Sequence, residues 1–335
     1  MDVRKKIMDN VCQAKTFLIL THVRPDGDAI SSSIAMYYLL VSLGKDPKNI
    51  EVFIPYISKD LSFIDKHNIL TKNCTMNNHD LVIIVDCSDY SRVEGSNLLR
   101  EFSSQQCIII DHHEVSGNLM GTENYIIDTS ATSCTCIIYR EFHMYMCEQN
   151  SNSFLRCVAI GIMSDTIGLT LNVTDECRDI LSYCKKVGVD IQNIKEQLRN
   201  VDVRTQILAS LTIKRLIITQ GIGCTYILQS DLNPEEYNLK TVNHKAIIQQ
   251  ILDMVPCNTL VLLIENENHE IKGSMRTTLS NVDLNYICAL MVERKIFLQG
   301  GGHSNSAGFK MTISDTTETT LNHIFKLLVT AILGN

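Results

Sequence analysis

The chain has 335 residues, of which 45% are hydrophobic and 20% are charged, and its formal net charge is −7. The length allows two domains with separate cores, and the composition is typical of a globular protein rather than a disordered one. The negative charge and the lack of a basic run argue against binding of long duplex nucleic acid through its phosphates. No apolar run is long enough to span a membrane, and the N-terminus lacks the apolar core of a signal peptide. We therefore expect a soluble, cytoplasmic protein without a membrane partner.

The chain contains 13 cysteines and no Cys-x-x-Cys pair. Most of them lie inside apolar runs, as Cys107, Cys157 and Cys288 do. Small buried thiols are therefore favoured over zinc ligands or disulfides, in agreement with a reducing cytosol.

The first half of the chain alternates between strand and helix patterns. A leading helix is predicted over 1–16 and further helices over 30–43, 91–103, 131–147, 154–163 and 175–186. Strands are predicted at 17–20, 50–54, 81–85, 107–110 and 125–127. This alternation predicts an α/β domain over 1–188 with a doubly wound, mostly parallel sheet and right-handed crossovers.

The pattern changes after a polar linker predicted over 189–205. Paired strands are predicted at 211–219 with 224–228 and at 260–264 with 270–275. Helices are predicted at 243–254, 284–292 and 317–333. A smaller α+β domain with its own core is therefore expected over 206–335.

The loop after the first predicted strand carries His22, Asp26 and Asp28. Open α/β sheets bind their ligands at the carboxyl ends of strands, where this loop lies. Gly27 predicts a tight turn that brings the two carboxylates together. Such side chains suit Mg²⁺ or Mn²⁺, although the loop taken alone is also typical of a polar Asx turn.

Three further polar groups follow apolar runs. Asp86 comes after the strand predicted at 81–85, Asp111-His112-His113 after the one at 107–110, and Asp165 after the apolar stretch 159–163. A single histidine in such a place is more often a satisfied core residue, but four groups at one sheet edge favour a shared site. A carboxylate between two ions about 3.5–4 Å apart, with His and Asp ligands on either side, is what two-metal phosphoryl transfer requires.

These segments carry a family resemblance. The motifs are His22–Ala29, Val85-Asp86, Asp111–His113, Gly161–Thr166 and, in the second half, Gly300–Gly308. In this order they resemble the DHH phosphoesterases with a DHHA1 C-terminal domain, and most closely the NrnA-like oligoribonucleases and pAp phosphatases. The segment 131–136 resembles the small-hydroxyl helix start of the family, with Cys136 where Glu is common.

The resemblance implies a role for each matching residue. One metal ion would be held by His22, Asp26 and Asp86, and a second by Asp28, Asp86, His112 and Asp165. His113 would contact the scissile phosphate, and Asp111 would orient the neighbouring ligands. The family generally prefers Mn²⁺, and Mg²⁺ remains open. Substrate contacts are expected from Arg276, Gly300, Gly301, Gly302 and His303, because Arg grips phosphate in a forked way and glycine-loop N–H groups can cradle an anion.

The implied function is hydrolysis of short oligoribonucleotides, linear dinucleotides such as pApA, or pAp to mononucleotides, in a cleft between the two domains. One alternative is an inorganic pyrophosphatase or polyphosphatase with the same metal site, against which the Gly-Gly-Gly-His signature argues. The other is a non-catalytic nucleotide-binding relative, against which the complete ligand set argues. The oligomeric state is left open, with a homodimer as one option.

Overall fold

The structure is a computed structural model that describes residues 3–74, 79–114, 121–200, 203–231, 244–265, 270–313 and 315–334. The chain divides into two compact units, Met1–Asn200 and Val201–Asn335. Each unit has a sheet of its own with helices packed against it, which confirms the predicted fold class. No helix among the described residues combines the length and the hydropathy needed to cross a bilayer.

The N-terminal unit is built around a six-stranded sheet in which every pair of neighbouring strands is parallel. Its elements are α1 Val3–Gln13, β1 Phe17–Leu20, α2 Gly27–Ser42, β2 Ile50–Phe53, β3 Leu70–Thr71, β4 Leu81–Val85, β5 Cys107–Asp111, β6 Tyr125–Ile127, α3 Cys134–Phe142, α4 Glu148–Asp165, α5 Asp175–Lys186 and α6 Ile191–Arg199. The strand order is β3-β2-β1-β4-β5-β6, the order typical of doubly wound sheets.

The central strands β1, β4 and β5 are buried along their whole length. A strand covered on both faces reads as an unbroken apolar run, and this is why the sequence predicted them closely. One face of the sheet belongs to the apolar core that also contains side chains of the helices α1 to α6. The two-residue edge strand β3 was not predicted, because so short a strand has no recognisable pattern.

The helix predicted over 91–103 is wrong. This segment forms 3₁₀ turns at Tyr90–Arg92 and Leu98–Glu101. Gly95 between them has a φ of +75°, which a continuous right-handed helix does not allow. The apolar side chains Val93 and Leu99 nevertheless pack on the second face of the sheet.

The predicted linker contains α6, whose Ile194 is buried in the core of the N-terminal unit. The helix is short and polar on its exposed side, so its sequence resembles a linker. Residues 201 and 202, at the junction of the two units, lie outside the described residues. The predicted domain boundaries at 188 and 206 stay a prediction.

The C-terminal unit contains a second six-stranded sheet, with the order β11-β12-β10-β9-β8-β7. Its elements are α7 Val203–Lys214, β7 Ile217–Thr219, β8 Ile222–Ile227, α8 His244–Met254, β9 Thr259–Glu265, β10 Glu270–Thr277, α9 Leu284–Glu293, β11 Gln299–His303, β12 Ser306–Thr312 and α10 Glu318–Leu333. All pairs are antiparallel except β8 with β9. Helices α7 and α8 cover one face, and α9 and α10 cover the other.

The strand predicted over 211–219 is wrong in its first part. Residues up to Lys214 belong to α7, and only Ile217–Thr219 form a strand. Leu208 and Ala209 of this helix are buried against α8. A short apolar run does not by itself distinguish a buried strand from a buried helix segment.

An ion pair in the C-terminal unit gives a prediction about acid stability. Arg215 binds Asp231 through two nitrogens, one of them Nη2 at 2.7 Å from Oδ1, and Leu228 N donates to the same carboxylate at 2.7 Å. Burial raises the pKa of Asp231, but these hydrogen bonds outweigh burial and bring the pKa below its usual value. The stability that the pair contributes is therefore complete above the usual pKa of about 3.9. It is lost as the pH falls through the lower, folded-state pKa.

We expect Asp231→Asn to lower the unfolding midpoint at neutral pH and this difference to shrink as the pH falls below about 4. Thermal unfolding of the wild type and of Asp231→Asn, measured from neutral pH to below about pH 4, tests this prediction. Glu293→Gln, at an exposed acid of the same unit, should show no such convergence. A difference for Asp231→Asn that stays constant with pH would contradict the prediction.

Candidate metal centre

The strand order reverses between β1 and β4, which lie side by side although they are not consecutive. In open α/β sheets this is where ligands bind, beyond the carboxyl ends of the strands. His22 follows β1, Asp86 follows β4, and Asp111-His112-His113 stands at the end of β5. The beginning of α2 and the end of α4 bring further acids to the same edge.

Asp26 begins α2 as its N-cap. Its Oδ1 accepts hydrogen bonds from Asp28 N at 3.0 Å and Ala29 N at 3.2 Å. This is the usual capping arrangement at a helix start. The Asx turn and a ligand role are therefore compatible, because Asp26 also offers an oxygen within 4.8 Å of ligand atoms of His22 and Asp86.

Gly27 is needed for a reason that the sequence did not indicate. It does not have a positive φ, so the predicted glycine-specific turn is not what it provides. A Cβ on Gly27 would lie 2.5 Å from Ser164 Oγ and 2.8 Å from Ser164 Cβ. The glycine thus allows the start of α2 to approach the end of α4, where Asp165 lies.

The first ligand cluster consists of His22, Asp26 and Asp86, whose candidate ligand atoms lie within 4.8 Å of one another. The ring of His22 is fixed by a 2.9 Å hydrogen bond from Nδ1 to Val23 O. Its Nε2 is 3.5 Å from Asp86 Oδ2. A backbone hydrogen bond at one ring nitrogen that directs the other toward an ion is typical of metal-binding histidines.

The second ligand cluster consists of Asp28, His112 and Asp165, again within 4.8 Å. His112 Nε2 lies 3.2 Å from Asp165 Oδ2 and 3.9 Å from Asp28 Oδ2. His112 Nδ1 is 3.3 Å from Ala131 O, so this ring too is oriented by a backbone carbonyl. The first cluster contains all three ligands predicted for one ion. The second contains three of the four predicted for the other ion, and the fourth is Asp86.

Asp86 connects the two clusters. Its Oδ2 is near His22, while its Oδ1 is 3.3 Å from His112 Nε2 and 3.6 Å from His113 Nδ1. The residue is 2% exposed, and Oδ1 accepts no aligned hydrogen bond from the described residues. Its φ of +56° is in the left-handed region, which Asp adopts more readily than most residues. A buried carboxylate oxygen with histidine nitrogens nearby and no donor is an expected feature of a metal bridge.

Asp111 holds His113 in place. Its Oδ1 accepts hydrogen bonds from His112 N at 2.8 Å, His113 N at 3.2 Å and His113 Nδ1 at 2.8 Å. Burial raises the pKa of this carboxyl, but the hydrogen bond and charge of His113 outweigh burial and hold it below its usual value. The side chain of His113 is 28% exposed. Asp111 is therefore a positioning residue, and His113 faces the more open side of the site.

Asp28 is held by the N-terminus of α3. Its two oxygens accept hydrogen bonds from Cys134 N at 2.6 Å, Thr135 N at 3.2 Å and Thr135 Oγ1 at 2.9 Å. A helix N-terminus favours such a negative charge. Sequence reasoning did not identify Cys134 and Thr135 as contacts of Asp28. The sequence feature that could have indicated these contacts is the small-hydroxyl helix start at 131–136, where Ser133 is the N-cap of α3.

The electrostatics of the site fit divalent cations. Burial, followed by the charges of Asp86 and Asp165, raises the pKa of Asp28 well above its usual value. Burial lowers the pKa of His112, but the close contacts with the carboxylates of Asp165 and Asp86 raise it well above the ordinary value. Closely spaced buried carboxylates ionise together only at a high cost unless cations compensate their charge. Carboxylate and imidazole ligands suit Mn²⁺ and Mg²⁺, so the residues fit the two predicted ions.

The predicted substrate residues lie in the C-terminal unit. Arg276 is on β10 and 9% exposed, and its Nη1 donates to Met275 O at 2.8 Å. Gly300, Gly301, Gly302 and His303 lie in the edge strand β11, rather than in the loop predicted from the sequence.

Gly302 allows this glycine run to pair closely with β12. A Cβ on Gly302, which has a φ of +152°, would lie 2.3 Å from Ser306 O. Its N–H donates to Asn285 Oδ1 at 3.0 Å. This glycine permits close pairing of β11 with β12, and its N–H is already used within the unit. Contact of the run with a substrate stays a prediction.

Comparison with known proteins agrees with this geometry. Residues 16–162 match the DHH family, N-terminal domain. This match lies within the N-terminal unit. The match includes the loops after β1, β4 and β5, and it ends before Asp165. It does not extend into the C-terminal unit, so the DHHA1 assignment of that unit stays a prediction.

Two relatives are similar to this protein over more of the chain, at low identity. The cyclic-di-AMP phosphodiesterase PdeA of Listeria monocytogenes is 24% identical over 63% of this chain, but the alignment spans only 34% of PdeA. The bifunctional oligoribonuclease and PAP phosphatase NrnA of Mycoplasma genitalium is 24% identical over 90% of each chain. An exopolyphosphatase-related protein from Bacteroides fragilis has the same fold, with a TM-score of 0.76, 20% identity and coverage of 99% of this chain and 97% of its own.

Proposed function

We propose that this protein is a metal-dependent hydrolase of phosphate esters that belongs to the DHH family. Its substrates are short oligoribonucleotides, linear dinucleotides such as pApA, and pAp, and its products are mononucleotides. The observation that carries the proposal is the position of Asp86. It belongs to the first ligand cluster with His22 and Asp26, and its other oxygen lies next to His112 of the second ligand cluster. Similarity to NrnA over 90% of both chains supports the substrate class.

In this proposal His22, Asp26 and Asp86 hold one divalent ion, and Asp28, Asp86, His112 and Asp165 hold the other. Ions in such a pair supply an activated water and neutralise the charge that develops on the phosphate. Mn²⁺ is the proposed metal, with Mg²⁺ as the competing one. The hydrogen bond from His112 to a backbone carbonyl and the bonds from α3 to Asp28 keep the ligands oriented before substrate binds.

His113 is proposed to stabilise the phosphate. Its Nδ1 is hydrogen-bonded to the buried Asp111 carboxylate, which fixes the orientation of the ring. The other ring nitrogen, Nε2, is then the atom proposed to contact a phosphate oxygen whose charge increases in the transition state. The role needs a side chain that substrate can reach, and His113 is more exposed than His22 or His112.

The C-terminal unit is proposed to bind the rest of the nucleotide through Arg276, His303 and the glycines 300–302. The catalytic and substrate-binding domains are proposed at 1–188 and 206–335. Tight placement of the leaving nucleotide selects the bond that is cut.

A substrate panel tests the proposal. We expect mononucleotide release from pApA, pAp and a five-nucleotide RNA in the presence of Mn²⁺, loss of turnover after chelation, and recovery when Mn²⁺ is restored. Cyclic di-AMP and pyrophosphate belong in the same panel. Phosphate release from pyrophosphate without turnover of pApA or pAp would replace this proposal with a pyrophosphatase. Binding of nucleotides without any turnover would indicate a non-catalytic relative.

A further inference from the structure

A third group of ligand-type side chains lies away from the candidate metal centre. Glu51 is on β2, Cys74 follows β3, and His79 precedes β4. Glu51 pairs with Leu18 and shares its sheet face with Phe53, the face opposite the helices. His79 stands at the amino end of β4, whereas Asp86 stands beyond its carboxyl end. The group is therefore distinct from the candidate metal centre.

The three side chains converge closely. Glu51 Oε2 is 3.2 Å from Cys74 Sγ and 3.2 Å from His79 Nε2, and the three candidate ligand atoms lie within 4.8 Å of one another. Ligand distances to Zn²⁺ are about 2.0–2.3 Å, so atoms on one tetrahedral ion lie roughly 3.2–3.8 Å apart. The two distances from Glu51 Oε2 thus match the spacing that one shared ion requires.

His79 provides an independent observation. Its side chain is 1% exposed, and its Nε2 makes no hydrogen bond with the described residues. The 3.2 Å contact with Glu51 Oε2 lacks the alignment that a hydrogen bond needs. A buried ring nitrogen without a hydrogen bond requires an explanation. An ion shared with the carboxylate and the thiol would supply one.

The charges also favour a cation. Burial lowers the pKa of His79, which is the direction that a neutral metal ligand requires. Glu51 is 5% exposed, and its Oε2 accepts a hydrogen bond from the Cys74 thiol. Burial of a carboxylate is costly unless an opposite charge accompanies it. A divalent ion would compensate both the carboxylate and a thiolate formed at Cys74.

We propose that Glu51, Cys74 and His79 bind one Zn²⁺-type transition-metal ion that joins β2 to the segments after β3 and before β4. A thiolate together with an imidazole favours Zn²⁺ over the harder Mn²⁺ and Mg²⁺. Binding releases the thiol proton to solvent and changes no oxidation state. The sequence did not indicate this site, because Glu51 is far from the Cys74–His79 pair in the chain.

Cobalt substitution tests the proposal, because Co²⁺ bound to a thiolate has a charge-transfer absorption that carboxylate and imidazole ligands do not give. The full chain is stripped with a chelator, loaded with Co²⁺ and compared with Cys74→Ser and the matched control Cys12→Ser, at an exposed thiol. We expect wild type and Cys12→Ser to hold one more ion per chain than Cys74→Ser and to show the thiolate band. The band should persist in Asp86→Asn, which separates it from the candidate metal centre.

His79→Gln is the second variant, for the case that Cys74→Ser does not fold. It should also lose one ion per chain and show a smaller rise of the unfolding midpoint on Zn²⁺ addition than wild type. Equal metal content in wild type and His79→Gln, with no thiolate band in wild type, would overturn the proposal. That outcome leaves the phosphoesterase proposal untouched, because the readouts do not depend on turnover.

Discussion

Asp86→Asn is expected to reduce the turnover of pApA by about 10²–10³-fold, the size of effect seen when one preorganised electrostatic group is removed. The reason is that both ligand clusters contact this carboxylate, and an amide is a much weaker ligand than a carboxylate. Asn has nearly the same volume as Asp, and it tolerates the φ of +56° at this position. The variant should therefore fold, and its metal content and kcat should both fall.

Asp89→Asn is the matched control for this experiment. Asp89 lies on the same loop and accepts a hydrogen bond from Ser91 N at 2.9 Å. Asn caps a turn about as well as Asp does, so activity and metal content should stay at the wild-type level. Wild-type turnover in Asp86→Asn would contradict the assignment of Asp86 as the bridging ligand.

Gly161→Ala is expected to displace ligands of the second ligand cluster, although Gly161 is not itself a ligand. A Cβ at this position of α4 would lie 2.2 Å from Thr135 Oγ1 and 2.3 Å from Asp28 Oδ1. Asp28 or the start of α3 must then move, and the hydrogen bonds that orient the carboxylate are strained. We expect loss of one of the two ions, a large fall in kcat and a cost of about 1–3 kcal/mol in folding free energy, as for other overpacked cores.

Helix propensity alone predicts the opposite sign for this change, because Ala is favoured over Gly by about 1 kcal/mol in a helix. Asn152→Ala, at an exposed position of the same helix, provides the control and should leave stability and activity near wild type. Thermal unfolding and metal analysis of the purified variants check both statements. Unchanged metal content in Gly161→Ala would show that Asp28 has more room than the structure indicates.

The sheet edge with its ligands was predictable because its signals are local. β1 and β4 are buried on both faces, so their apolar runs are continuous and their boundaries were predicted correctly. Once the strands are parallel, the residues that follow them must share one edge. The amino-acid sequence alone therefore predicted that His22, Asp86 and His112 lie together.

Features that depend on distant contacts were not predictable. Asp28 is held by Cys134 and Thr135, more than 100 residues further along the chain. The requirement for Gly27 arises from Ser164 in another helix. The apolar residues before Lys214 fit a strand or a helix equally well until their packing against α8 is known.

The backbone at Asp86 limits what this position can become. Few residue types besides glycine, asparagine and aspartate occupy left-handed geometry at little cost. Substitutions that preserve the backbone at this position should therefore favour Asn or Gly over Glu, Ala or a β-branched side chain. A homologous sequence with Asn or Gly here would keep this backbone geometry but lack the carboxylate that contacts both ligand clusters.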